Sequence, residues 1–351
     1  MYSEGDLRDA VAAGAISPEA AQALRDYVSA ARSAPVTDEE NFRLVTSFND
    51  IFVTIAAVLL LVAMAGIGGA VAPGVGGALV AAASWGMAEF FTRKRRMALP
   101  SIVLLLAFVG GIGAAGLEVL GEMESAGIED RLAALLGSVV ALAAALGAFL
   151  HWRRFKVPIT VAAGTAAVVA MVFALIVTAI GPPKIDAERV LMPLVFVAGL
   201  AVFAYAMRWD ISDRARETRR SDVAFWLHLL AAPMIAHPLF NWLGVTEGDI
   251  VGPGAAAGVL AIYVAMALVA LAVDRRALLV SALAYVLIAL TWLFDEFGAV
   301  ELNVALTALV IGSALLMLSA FWTPIRSALV DKLPGALQAR LPLPGASPQP
   351  A

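Results

Sequence analysis

The sequence predicts an all-α protein, a polytopic transmembrane helix bundle of about ten spans with a small cytoplasmic helical hairpin at its N-terminus. Two observations support this fold class. Of 351 residues, 61% are hydrophobic and only 15% are charged, and the mean hydropathy is +0.88. Soluble domains are nearer half apolar and a quarter charged. The apolar residues also fall into runs of about 20, the length at which an α-helix crosses a bilayer.

The composition and the absence of common motifs exclude several classes of function. The chain has no cysteine, which excludes disulfides, thiolate metal sites, iron–sulfur clusters and cysteine nucleophiles. A net charge of −4 gives no support for nucleic-acid binding. The soluble parts lack a glycine-rich phosphate loop, and the common hydrolase motifs are missing. We therefore expect no cofactor, no nucleic-acid partner and no common enzymatic activity.

Residues 1–48 are predicted to form a cytoplasmic helical hairpin followed by a linker helix. Gly14 is expected to end a first helix. Ser17 then supplies an N-cap and Pro18 a first helical position for a second helix, which runs to about Arg32. The linker helix is expected to continue without a break into the membrane.

The hairpin carries the motif Gly14-Ala15-Ile16-Ser17-Pro18-Glu19, with Leu7 before it and Leu24 after it. This arrangement resembles a family of uncharacterised bacterial multi-pass membrane proteins, in which such a hairpin forms a domain of unknown function. The resemblance implies a many-helix membrane domain behind the hairpin and no assigned activity. Residues 1–50 contain nine acidic and four basic residues, so a cytoplasmic protein partner at residues 1–34 is one hypothesis.

Residues 49–322 are predicted to form the membrane domain. Its apolar runs are 51–72, 74–92, 99–120, 132–151, 157–181, 189–207, 222–243, 253–273, 277–295 and 300–322. The first two are separated only by Ala72-Pro73-Gly74, where a tight turn and a re-entrant pair are both open. Small residues let helices approach closely in lipid. The glycines expected at such contacts are Gly66, Gly68, Gly69, Gly110, Gly111, Gly113 and Gly116.

The basic residues predict the orientation. If ten spans alternate, 21 of the 24 lysines and arginines fall on one side, and only Arg131, Lys184 and Arg189 fall on the other. Cytoplasmic loops carry such an excess of positive charge. We therefore expect a bacterial inner-membrane protein with both termini in the cytoplasm, whose first apolar run acts as an uncleaved signal anchor.

Residues 323–351 are predicted to form a cytoplasmic interfacial helix and a proline-rich tail. Ile325 and Leu329 share an apolar face, and Arg326 lies off that face. The tail from Leu341 onward is expected to be disordered.

The seventh run contains the most concentrated polarity inside the membrane. Pro233 and Pro238 each remove a backbone donor and predict a kink. His237 and Asn241 are four residues apart and share a helical face. His228 and His237 are nine residues apart, about 13 Å along a helix and half a turn out of phase, so we expect no metal site. Kinked helices with polar side chains at mid-depth are typical of transporter sites.

Three functions stay open at this point. The first is a small-solute or ion transporter or channel whose substrate or proton pathway uses Asp222, His228, His237 and Asn241. The second is a membrane scaffold, sensor or assembly factor that acts through the N-terminal hairpin. The weakest is an intramembrane lipid-modifying enzyme using Asp222 and His228, which are six residues apart and do not share a helical face.

Two further features lie at the predicted interface. The loop between Arg208 and Arg220 has the densest charge in the chain. Its arginines set the topology, and a phosphate or lipid-headgroup contact is the alternative hypothesis for Arg214, Arg216, Arg219 and Arg220. His151, at the end of the fourth run, is expected to lie at the membrane interface.

Overall fold

The computed structural model describes Leu7 and residues 10–31, 48–181, 187–216, 218–244, 253–296 and 302–343. The chain divides into two compact units, Met1–Phe42 and Arg43–Ala351. In the first unit, α1 (Pro18–Ala31) begins after Ser17, whose Oγ accepts a hydrogen bond from the Ala20 N–H at 3.1 Å. The predicted cap is confirmed. The predicted linker helix lies almost wholly outside the described residues.

The regular structure described for the second unit is entirely helical. Its helices are α2 (Phe48–Gly69), α3 (Val75–Ala88), α4 (Ala98–Ser125), α5 (Asp130–Phe155), α6 (Ile159–Ile180), α7 (Met192–Ser212), α8 (Arg219–Trp242), α9 (Pro253–Val273), α10 (Ala277–Glu296), α11 (Asn303–Ala320), α12 (Trp322–Val330) and α13 (Gly335–Gln338). A π-helical segment extends α3 at its end, and another precedes α7. Helices α2 to α11 follow the ten predicted runs in order, which confirms the all-α polytopic bundle.

Among the described residues, nine helices are long and apolar enough to cross a membrane. The run that falls short is in α10, where the apolar stretch Leu278–Thr291 has fewer residues than the other spans. The whole of α10 has 20 residues, which is about 30 Å of helix. The number of candidate spans among the described residues is therefore nine if the apolar stretch must reach full length, and ten if α10 is included.

The turn between α2 and α3 shows how the first two runs are separated. Gly74 adopts a φ of +85°, and its N–H donates to the Glu118 carboxylate of α4 at 2.8 Å. The two helices also touch beside the turn, because a Cβ on Gly68 would lie 2.6 Å from the Cα of Gly76. Helix α2 reaches the length of a span, and α3 does so together with the π-helical segment Glu89–Lys94, which favours a tight turn over a re-entrant pair.

Only some of the predicted contact glycines lie where helices meet. A Cβ on Gly111 of α4 would lie 2.7 Å from the carbonyl oxygen of Gly77 in α3, and one on Gly116 would lie 2.5 Å from Val140 in α5. In the described structure, a Cβ would meet nothing within 4 Å at Gly66, Gly69, Gly110 and Gly113. Gly110 and Gly111 are therefore adjacent in sequence, but only Gly111 lies at a helix contact.

Helix α8 lies at the centre of the membrane unit. Half of its apolar stretch is buried, against a third or less for the other candidate spans. It packs against α6, α7 and α10, and the side chains of Leu227, Ala231, Ala236 and Phe240 are fully buried. The helix continues from Arg219 to Trp242 through both internal prolines. The most polar predicted span is thus also the one most enclosed by protein.

The basic segments meet at one end of the bundle. The contacts that join them are Glu89–Arg154, Arg216–Asp274 and Arg214–Leu341, and Lys156 and Arg208 line one cleft there. The opposite end is marked by the contact of Gly74 with Glu118 and by that of Arg131 with the Ala179 carbonyl. The helices therefore alternate in direction as the charge pattern requires.

Candidate functional site

Helix α8 forms a buried ionic cluster with α7 and the turn between α9 and α10. We name Asp210, His228 and Arg275 the Asp210 cluster. The Nε2 atom of His228 lies 2.8 Å from Oδ2 of Asp210. Arg275 donates from Nη2 to the other oxygen, Oδ1, at 2.5 Å and to the Ser221 carbonyl at 3.0 Å. All three side chains are at most 2% exposed, so the carboxylate binds an imidazole and a guanidinium away from water.

Local structure holds the two helices of this cluster in register. Thr218 caps α8 by accepting a hydrogen bond from the Arg220 N–H, and its own N–H and hydroxyl both donate to the Asp213 carboxylate. Because Asp213 immediately follows α7, this contact ties the end of α7 to the start of α8. The Phe203 ring of α7 then packs edge-to-face against His228, with ring centroids 5.0 Å apart.

A second group of buried charges lies beside the first, and we name it the Asp274 cluster. Arg216 donates from Nη1 to the Asp274 carboxylate at 2.9 Å and from Nη2 to its carbonyl at 2.8 Å. Trp322 donates from Nε1 to the same carboxylate at 2.6 Å, and Nε of Arg326 lies 3.6 Å from it. Burial, reinforced by the neighbouring Arg275 guanidinium, lowers the pKa of Arg216, and Asp274 opposes that shift.

The two clusters place three guanidiniums and two carboxylates inside the protein. Removing each ion from water costs several kcal/mol, and well-packed apolar side chains of similar volume are often at least as stabilising. Ionisable groups in such a place are expensive, which makes them candidates for function. Stability alone gives little reason to keep them.

A separate polar contact lies further along α8. Nδ1 of His237 is 2.6 Å from the Tyr285 hydroxyl of α10, and the Tyr285 ring stacks on Phe240 with centroids 4.3 Å apart. Asn241 is one helical turn beyond His237 and is partly buried. His228 and His237 bind different partners, so the structure does not bring the predicted pathway residues into one site.

Asp222 lies in the first turn of α8 and is partly buried. It does not bind His228, because Nε2 of that histidine is bound to Asp210 and Nδ1 has no hydrogen-bond partner among the described residues. The pairing on which the lipid-modifying hypothesis depended is therefore absent, and a carboxylate from the preceding helix takes its place.

The four arginines predicted to contact phosphate divide into two pairs. Arg214 donates to the Leu341 carbonyl at 2.8 Å and to that of Gln338 at 3.3 Å, and Arg216 belongs to the Asp274 cluster. Arg219 and Arg220 are exposed and line a cleft at the basic end of the bundle. The first pair holds the protein together, and the second is accessible to a ligand.

At three helix ends the structure buries a side chain that the sequence did not indicate as part of the protein interior. His151 is fully buried against Thr160 and the rings of Trp85 and Phe155, although its neighbours indicated the interface. Arg326, expected off the apolar face of its helix, is 2% exposed and donates to the Pro342 carbonyl at 2.7 Å. Leu341, expected in a disordered tail, is buried; residues 344–351 lie outside the described part of the chain.

Sequence reasoning missed most members of the two clusters. Arg275 was counted only among the basic residues that predict the orientation, and Asp210 was not singled out within its charged loop. One signal was available: Asp274 and Arg275 place opposite charges together in a turn of only three residues between two long apolar runs.

Fold and clusters together define a multi-pass α-helical membrane protein with a buried ionic core around one central helix. No protein-family model matches the chain, and comparisons with curated proteins and with solved structures find no similar protein. Functional inference therefore rests on the geometry of this chain.

Proposed function

We propose that the protein is a proton-linked transporter of a small solute or ion, and that α8 carries the proton path. The supporting observation is the Asp210 cluster. Histidine is the side chain whose charge changes nearest to neutral pH. Here His228 shares the carboxylate of Asp210 with Arg275, and its other ring nitrogen, Nδ1, has no hydrogen-bond partner among the described residues.

The arrangement tolerates both charge states of the histidine. When His228 is protonated, it binds Asp210 as a cation. When it is neutral, Arg275 still neutralises the carboxylate through the contact at 2.5 Å. The carboxylate therefore keeps a cationic partner in both states, and protonation of His228 gives the cluster a net charge of +1, which favours release of the proton.

Further exchangeable groups continue along α8. His237 and the Tyr285 hydroxyl form a pair nine residues beyond His228, about 13 Å along the helix axis. The Tyr263 hydroxyl is buried and has no hydrogen-bond partner in the described part of the chain. The Tyr263 ring packs against the apolar clusters that contain Ala232 and Ala236 of α8. These groups follow the helix away from the basic end.

The test is proton flux into liposomes that contain the purified full-length protein, a trapped pH-sensitive dye and a potassium gradient with valinomycin. We expect flux above that of empty liposomes. His228→Gln should lower it about 100-fold, the lower end of what a positioned proton-transfer group contributes. Tyr285→Phe, which deletes one hydroxyl, should lower it less.

His151→Gln is the matched control, because His151 is equally buried but lies against Thr160 and aromatic rings. Its flux should equal that of the unmodified protein. The proposal fails if the unmodified protein moves no protons, or if His151→Gln and His228→Gln, both eluting as monodisperse proteins, lose flux equally.

The proposal includes placement in a bacterial inner membrane with both termini in the cytoplasm. Its support is the gathering of the basic segments at one end of the bundle, which the excess of positive charge in cytoplasmic loops identifies as the inner end. Cysteines introduced at Arg95 and at Arg131 test this in the cysteine-free chain. An impermeant thiol reagent should label only Arg131→Cys in intact cells.

A second candidate function is docking of a cytoplasmic protein on the N-terminal hairpin, the element that resembles the bacterial multi-pass family. The observation that favours it is that Met1–Phe42 forms a compact unit of its own. Deleting residues 1–34 should then abolish function in cells while the bundle still inserts. Unchanged function in cells would exclude docking, and unchanged flux in liposomes would leave the transport proposal intact.

A further inference from the structure

A cleft of about 820 Å³ opens at the basic end of the bundle, between the end of α5, the end of α7 and the start of α8. Four cations line it: Lys156, Arg208, Arg219 and Arg220. No carboxylate is among its lining residues in the described structure; Glu217 of the same loop lies outside that part. The cleft therefore concentrates positive charge around an open volume.

The cations of this cleft form no ion pair among the described residues, although the charge of Arg219 acts on the nearby Asp222 carboxylate. Arg208, Arg219 and Arg220 are exposed, and none of them forms an ion pair among the described residues. Lys156 lies over the Trp152 ring at 5.2 Å. This differs from Arg216 in the same loop, whose guanidinium is bound to Asp274. Exposed cations around a cavity that no described acidic residue lines favour an anionic ligand.

Three aromatic rings line the same cleft, beside Ser212, Thr218 and Val223. Trp152, Tyr205 and Trp209 line the cleft, and the rings of Tyr205 and Trp209 are in edge contact with centroids 6.3 Å apart. Tryptophan and tyrosine concentrate at the level of the headgroups, where one side of the ring is apolar and the other is wet. The combination of arginines and interfacial aromatic rings matches a ligand that is part ion and part lipid.

We propose that this cleft binds the phosphate headgroup of an anionic phospholipid. Arg219 and Arg220 provide donors for the phosphate oxygens at the start of α8, a 24-residue helix whose N-terminus adds a partial positive charge. Trp152 and Trp209 cover the glycerol region. A soluble phosphate compound shares the phosphate chemistry. The lipid is favoured because the cleft lies at the ends of membrane-spanning helices and the inner leaflet is anionic.

The experiment is native mass spectrometry of the full chain in detergent, titrated separately with phosphatidylglycerol, phosphatidylcholine, inorganic phosphate and ATP. Phosphatidylglycerol should bind to the unmodified protein more tightly than phosphatidylcholine, and the two soluble compounds should bind weakly or not at all. Each basic residue near an anionic headgroup contributes about fivefold in affinity. The double variant Arg219→Gln/Arg220→Gln should therefore weaken phosphatidylglycerol binding about 25-fold.

The double variant Arg95→Gln/Arg96→Gln is the matched control, since it removes two arginines from another basic loop. Its phosphatidylglycerol affinity should change less than twofold. If both double variants lost phosphatidylglycerol affinity equally, the lipid would be attracted by the basic surface as a whole, and the proposal of a specific site in the cleft would be overturned. Equal binding of phosphatidylcholine, or tight binding of ATP or phosphate with no preference for phosphatidylglycerol, would overturn the lipid assignment. Arg208→Gln, a single replacement of an exposed residue, gives an independent reading and should weaken binding about fivefold.

Discussion

Replacing Arg275 with methionine removes a guanidinium but keeps much of its volume. The loss comprises the contact of 2.5 Å with Asp210 and the contact of 3.0 Å with the Ser221 carbonyl. Asp210 is then left with His228 in a site where its side chain is 1% exposed. Removing one partner of a buried ion pair costs about 3–5 kcal/mol, because the other charge stays buried without compensation. We expect the free energy of unfolding to fall by that amount.

A second substitution determines whether charge is the cause. In Asp210→Asn/Arg275→Met both charges are gone, and the amide can still bind His228. This double variant should be within about 1 kcal/mol of the unmodified protein, since neutral replacement of a buried pair is often nearly neutral. The assay is reversible unfolding in mixed micelles at increasing dodecyl sulfate, followed by circular dichroism.

Arg220→Met is the control, because Arg220 is exposed and forms no ion pair among the described residues. It should change the free energy of unfolding by less than about 0.5 kcal/mol. The reasoning is refuted if Arg275→Met costs no more than Arg220→Met, or if the double variant is as unstable as the two single variants added together.

The same unfolding assay tests two other contacts. Gly111→Ala should cost about 1–3 kcal/mol, because its Cβ would lie 2.7 Å from the Gly77 carbonyl, whereas Gly110→Ala, with nothing within 4 Å, should cost nothing; equal effects would contradict the packing of α3 on α4. Trp322→Phe should cost about 1.5–3 kcal/mol by removing the donor to the Asp274 carboxylate, and the half-exposed Trp242→Phe should cost less; the reverse order would contradict the Asp274 cluster.

The helices could be predicted because lipid imposes the same requirement on every span. A chain in lipid must satisfy its backbone hydrogen bonds within each segment, so every span needs its own apolar run of sufficient length. This is why α2 to α11 follow the predicted runs in order. The cap at Ser17 was predictable for a similar reason, since its partner is the N–H only three residues away.

The ionic clusters could not be predicted in this way. Asp210 lies 18 residues from His228 and 65 from Arg275, and no local period joins them. A charged residue at the end of an apolar run has the same sequence signature whether it faces water or a partner helix. Asp222 and His228 were paired by proximity in sequence, but the crossing of α7 and α8 places Asp210 at the histidine instead.

The seventh run was identified as the unusual one, but the use of its polar residues depends on its neighbours. His228 binds a carboxylate and His237 binds a tyrosine hydroxyl, although both lie on the same helix. Since the two side chains point in different directions, each meets a different neighbouring helix, α7 for the first and α10 for the second.

By itself, the sequence determined the all-α class, the order of the spans and the separation of basic from acidic segments. These properties follow from the free-energy cost of exposing a backbone group or a charge to lipid. That cost depends on each residue and its own segment, and not on residues far away in the chain. Only the tertiary structure decided which arginines are buried with carboxylates and which remain open around a cleft. Those outcomes depend on where helices cross, and a crossing is set by side chains far apart in the chain that must pack without voids or unpaired charge.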